Sequence, residues 1–119
     1  MQKAVPRTTK RVRSKASRAA ASVAYEPWLV EQLKDPDEAA AYLEAVIEEA
    51  DQAALMLALR QVALAQGGIA LIARKARLTR EATYKMLSAR GNPELRSLMA
   101  ILRAIGLRIA VQPIEKRAV

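Results

Sequence analysis

The sequence predicts an all-α fold: a small helical bundle that contains a helix-turn-helix and ends in one short C-terminal strand suited to dimerisation. Three observations carry this. From Gly67 to Arg90 the chain reads as two short amphipathic helices joined by the two residues Arg77-Leu78. Helix-start and helix-stop residues recur at Asp35-Pro36, Gly91-Asn92-Pro93 and Gly106. After Gly106 the apolar period becomes that of a strand, Leu107, Ile109 and Val111 alternating with Arg108, Ala110 and Gln112.

Taken in order, residues 1–24 are poor in large apolar groups and rich in Lys, Arg, Ser and Ala, which reads as a disordered basic arm. Lys10, Arg11 and Arg13 suit phosphates or a minor groove. A solubilising tail, an expression remnant and an organelle transit peptide fit the same composition. The single domain then covers residues 25–119. Tyr25, Trp28, Leu29 and Leu33 form an apolar cluster that anchors an extended segment or single turn on the core. Asp35-Pro36-Asp37-Glu38 predicts a helix to about Ala50: Asp35 caps, Pro36 takes the first helical position, and Glu38 completes a capping box. Its inward stripe is Ala40, Leu43, Ile47 and Ala50, with Glu44 and Glu48 outward and Glu49 toward the flank.

A second helix spans about Gln52 to Gln66, with Leu55, Leu59, Val62 and Ala63 inward and Met56 and Leu57 widening the stripe. Gly67-Gly68 ends it. The helix-turn-helix follows, Ile69 to Ala76 and Arg80 to Ala89, with Thr79 as the N-cap of the second helix. On that helix Ala82, Thr83, Met86 and Leu87 fall on one side; Glu81, Tyr84, Lys85 and Ser88 fall on the other, with Arg80 leading. The second face is rich in the groups that read base edges. It also fits the solvated side of an ordinary amphipathic helix. Asn92 then caps and Pro93 opens a helix whose stripe is Leu95, Leu98, Met99, Leu102 and Ile105, closed by Gly106. The strand after it has no partner within the domain, which favours pairing with a second copy across a two-fold axis.

Charge is segregated. Residues 1–25 hold seven bases and no acid, residues 26–51 nine acids and one Lys, and residues 52–119 twelve bases and three acids, for a net +8. A basic helix-turn-helix half suits DNA phosphates; the acidic block suits a basic protein partner. With no Cys and no His, disulfides, thiolate chemistry, His-based triads and the usual nitrogen ligands for metals are absent. The sequence calls for no catalytic residue, cofactor or metal, and an enzyme is the least favoured class. The longest apolar run, Ala53 to Leu59, stops at Arg60, far short of a bilayer span, and no secretory signal is visible, so a cytoplasmic location is expected.

The stretches YLEAVIEEAD, ALRQVALAQGGIALIARKA, LTREATYKMLS, GNPEL and AIGLRIAVQP, in this order between Tyr25 and Pro113, resemble the HigA-like addiction-module antidote proteins, small antitoxins with a Cro/repressor-type helix-turn-helix. One departure stands out. The turn between the two helices usually carries Gly in such domains, and Arg77 stands there. The resemblance implies the antitoxin of a type II toxin–antitoxin system: a dimeric, sequence-specific DNA-binding repressor of its own operon that neutralises a small basic toxin of the RelE/HigB/ParE kind. On this reading Arg80, Glu81, Thr83, Tyr84 and Lys85 meet base edges. Arg74, Lys75, Arg77, Ser88 and Arg90 hold phosphates. Glu38, Glu44, Glu48, Glu49 and Asp51 contact the toxin, and Leu107, Ile109 and Val111 form the dimer strand. A stand-alone helix-turn-helix regulator without a toxin partner is the alternative. A protein-binding module that keeps its helix-turn-helix as scaffold is a third.

Overall fold

The computed structural model describes residues 26–114. Among them are six helices: α1 (Pro27–Gln32), α2 (Pro36–Glu48), α3 (Gln52–Ala65), α4 (Ile69–Ala76), α5 (Arg80–Met86) and α6 (Leu95–Ile105). The arm 1–24 and Tyr25 lie outside the described residues.

Short polar side chains start three of these helices. Asp35 accepts from the Asp37 amide at 2.9 Å to open α2, Asp51 from Ala54 at 3.1 Å to open α3, and Thr79 from Ala82 at 3.0 Å to open α5. Glu38 does not close a capping box; its carboxylate accepts from Gln32 Nε2 at 2.9 Å and ties α1 to α2. Nor does Asn92 cap α6. The chain stays extended to Glu94, which is the N-cap without a side-chain bond, while Gln52 Nε2 donates to the Gly91 carbonyl at 2.7 Å and holds the connecting strap against α3.

Three helices end by one backbone device. An amide two or three places past the helix reaches back five residues, from Gly68 to Ala63, from Leu78 to Ala73 and from Leu107 to Leu102, at 2.8 to 2.9 Å. The residue before it takes a positive φ: Gly67 at 117°, Arg77 at 61° and Gly106 at 100°. Each closure satisfies carbonyls that the last turn would leave bare.

Helix α3 is the hub. Ala54, Met56, Ala58, Leu59, Val62 and Ala63 are buried on several of its faces, because α1 and α2 pack against one side and α4 meets its end at 92°. Helix α4 packs in turn on α5 and α6. Leu29 and Leu33 of the first apolar cluster reach the core, while Trp28 is 41% exposed. The α2 stripe is turned by one residue from the expected one: Ala39, Tyr42, Leu43 and Val46 are buried, and Ile47 is 57% exposed. The Tyr42 hydroxyl donates to buried Gln61 Oε1 at 2.5 Å, and that pairing selects the face. On α6 the buried residues are Ile101 and Ile105, with Leu95 and Met99 exposed.

The expected C-terminal strand is absent. Residues 107–113 carry no regular structure, and Val111 is 91% exposed. A strand is defined by its ladder partner, and no second strand exists among the described residues. The alternation of Leu107, Ile109 and Val111 has strand spacing but lacks the partner that would make it a strand. Leu107 and Ile109 instead line a groove beside α2 and α6.

Candidate nucleic-acid interface

The turn between α4 and α5 is set by Arg77 in the left-handed region, φ 61° and ψ 40°. The reversal buries part of Leu78 against the core and leaves the Arg77 side chain outside. Left-handed backbone is disfavoured for any residue with a Cβ, so the turn is made at some cost in strain. Thr79 then caps α5 in extended conformation.

On α5, burial divides the expected reading set. Arg80, Glu81, Tyr84 and Lys85 are exposed. Thr83 is fully buried, and its hydroxyl donates to the Thr79 carbonyl at 2.8 Å. Thr83 is thus a core residue and not a base reader: at 3.6 residues per turn it shares the inward face with Leu87, which is also fully buried. Ala82, expected inward, is exposed. One turn apart, the Arg80 guanidinium lies 5.9 Å from the centre of the Tyr84 ring, within cation–π range.

The expected phosphate-holding residues lie on α4, in the turn before α5 and in the segment after it, and all of them are exposed. Arg74 and Lys75 are exposed in the last turn of α4, where positive charge complements the helix dipole. Arg77 is exposed in the turn between α4 and α5, and Arg90 is exposed beyond the end of α5. None of Arg74, Lys75, Arg77, Arg80, Lys85 or Arg90 is ion-paired among the described residues; the salt bridge found there joins Lys34 to Glu31. Ser88 is exposed, but its hydroxyl donates to the Lys85 carbonyl at 2.8 Å. That bond accompanies the end of α5 at Met86, three residues before the expected Ala89, since a short hydroxyl competes for the carbonyls of a last helical turn.

Two supports of α5 were not foreseen. Arg60 of α3 donates through Nη1 to the Leu87 carbonyl. Gly91 is so close to the end of α5 that a Cβ there would sit 1.9 Å from the Met86 oxygen. The signal for Arg60 was present, as the one charge that interrupts the apolar run of α3.

The acidic residues lie elsewhere. Glu44 and Glu48 are exposed on α2 and Glu49 at its C-cap, Glu38 is held by Gln32, and Asp51 caps α3. Residues 26–51 carry −8 and residues 52–114 carry +8, so the described domain is neutral and strongly polarised along its sequence. No cluster of acidic residues among the described ones could hold a metal ion, and no single helix among them is long and apolar enough to cross a membrane.

Comparisons with known proteins follow the same span. A family model described as probable addiction module antidote protein matches residues 26–113. A Haemophilus influenzae protein, itself uncharacterised, is 33% identical over 84 residues, covering 71% of this chain and 86% of the relative. No solved structure matches.

Proposed function

The chain belongs to the family of probable addiction module antidote proteins, and on that premise we propose that it is an antitoxin that both neutralises a small basic toxin and represses its own operon by binding DNA. Membership of the family supports a toxin partner and speaks against an enzymatic role. The DNA half of the proposal rests on one observation. Arg80, Glu81, Tyr84 and Lys85 stand exposed on one helix, Arg74, Lys75, Arg77 and Arg90 are exposed on the segments that flank it in the chain, and none of these cations is ion-paired among the described residues. Unpaired cations on and flanking a polar helix fit phosphates on either side of a major groove, with α5 as the reading helix.

On this proposal two copies bind paired half-sites as a homodimer in the cytoplasm. The toxin resembles the RelE/HigB/ParE group and meets the acidic side of α2 through Glu44, Glu48 and Glu49, with Glu38 and Asp51 at its margins. The test has two arms. The protein is titrated against its own promoter DNA and against random duplex of equal length, at several salt concentrations. It is also co-expressed with the product of the adjacent gene. Promoter preference together with rescue of growth supports the proposal. Equal affinity for both duplexes removes the repressor half, and failure of rescue removes that gene product as the toxin.

A further inference from the structure

An open groove of about 590 Å³ lies between α2, the first half of α3, α6 and the segment after Gly106. Its apolar lining includes Leu43, Ile47, Leu98, Leu107 and Ile109. Ile47 is 57% and Ile109 43% exposed, so this lining is only partly covered by the chain that forms it. Glu44 and Glu48 stand on the α2 side, and neither is engaged by a cation among the described residues. Arg108 is the one base on the lining.

The chain carries a segment complementary to this groove. Residues 1–25 hold seven Lys or Arg and no acid, and they join the domain at Glu26. The two halves of the domain act on that segment in opposite ways: residues 52–114, at +8, repel it, and residues 26–51, at −8, attract it. Distance is no obstacle, because 25 residues can span up to ~80 Å. Covalent attachment also gives the segment an effective concentration on the order of millimolar at the domain surface, so weak affinity suffices for occupancy. Within it, Lys10-Arg11-Val12-Arg13 sets one apolar side chain among three cations, the pattern of an apolar groove with a carboxylate rim. The C-terminal residues 115–119 offer only Lys116 and Arg117 against Glu115.

We infer that this groove is the docking site of the chain's own residues 1–25, with Lys10, Arg11 and Arg13 against Glu44 and Glu48 and Val12 toward Ile47 and Ile109. The inference does not depend on DNA or toxin binding. If both hold, the arm and the toxin are alternative occupants of the same carboxylates, and each weakens the other's hold by linkage.

The protein has no Cys, so Thr9→Cys takes a single nitroxide label on the full chain. In low salt, amide signals of residues 43–49 and 107–110 should lose intensity roughly twofold or more. They should recover at about 1 M salt, where screening acts within about 3 Å. Recovery is also expected in low salt for Glu44→Gln/Glu48→Gln, whose exposed positions keep the fold intact, as circular dichroism verifies. Bleaching that is uniform, confined to residues 26–32, centred on α4 and α5, or retained in the double variant overturns the inference. So does bleaching seen when spin-labelled chains are mixed with isotope-labelled chains that carry no nitroxide, because the arm then belongs to a second copy.

Discussion

Arg60, midway along α3, donates through Nη1 to the main-chain carbonyl of Leu87, the residue that closes α5. The bond joins the most buried helix of the fold to the end of the helix proposed to read DNA. Replacing Arg60 by Met keeps much of the apolar stem and leaves that carbonyl without its charged donor. The expected cost is about 1–3 kcal/mol, measured by urea denaturation. Amide exchange at residues 86–91 should rise with it, whereas exchange in α2 should not.

Gly91→Ala tests the same junction from the other side. The new methyl would meet the Met86 carbonyl oxygen at 1.9 Å, and both groups that collide belong to backbone or are fixed to it. Relief requires moving the strap or the end of α5. A loss of about 1–3 kcal/mol is expected in denaturant melts. A neutral substitution would mean that the strap gives freely and does not fix α5.

Arg77 has a left-handed backbone and an exposed charge. Arg77→Gly removes the Cβ strain and should raise stability by about 1 kcal/mol. If the guanidinium holds a phosphate, the same change weakens binding alike for promoter and random DNA and lowers the salt slope by about one. Stability and DNA affinity thus move in opposite directions. A variant that gains stability and loses no affinity would show that Arg77 is not a phosphate contact.

Arg80→Ala separates reading from holding. A bidentate guanine contact is worth about 1–3 kcal/mol of discrimination, so promoter affinity should fall by that amount while random-duplex affinity changes little. Equal losses on both duplexes would reassign Arg80 to a phosphate. Tyr84→Leu is the companion, since it removes the ring beneath the Arg80 guanidinium without altering charge.

Much of the helical order was legible because the chain marks its helix ends locally. Asp35, Thr79, Gly67 and Gly106 do in the structure what their residue types predict. Legibility fell where the answer depends on a partner elsewhere in the chain. Helical periodicity alone makes Ile47 as good a core residue as Val46, and only Gln61 waiting for the Tyr42 hydroxyl decides between them. Thr83 sat at the border of two faces, and its bond to the Thr79 carbonyl turned it inward. The strand after Gly106 failed for the same reason in a stronger form: alternation is a property of one segment, and a strand is a property of two.

The three backbone closures at Gly67, Arg77 and Gly106 have a kinetic consequence. Each reversal is completed by amides and carbonyls no more than five residues apart. The principal helix–helix contacts join neighbours or next neighbours in sequence. Long-range bonds such as that from Gln52 to the Gly91 carbonyl still have to close, but the main helix packing is between near neighbours. Chains of such local topology fold in about microseconds to milliseconds, so an unfolded copy regains its surfaces before specific docking to a partner at about micromolar concentration, which takes about 0.1–10 s.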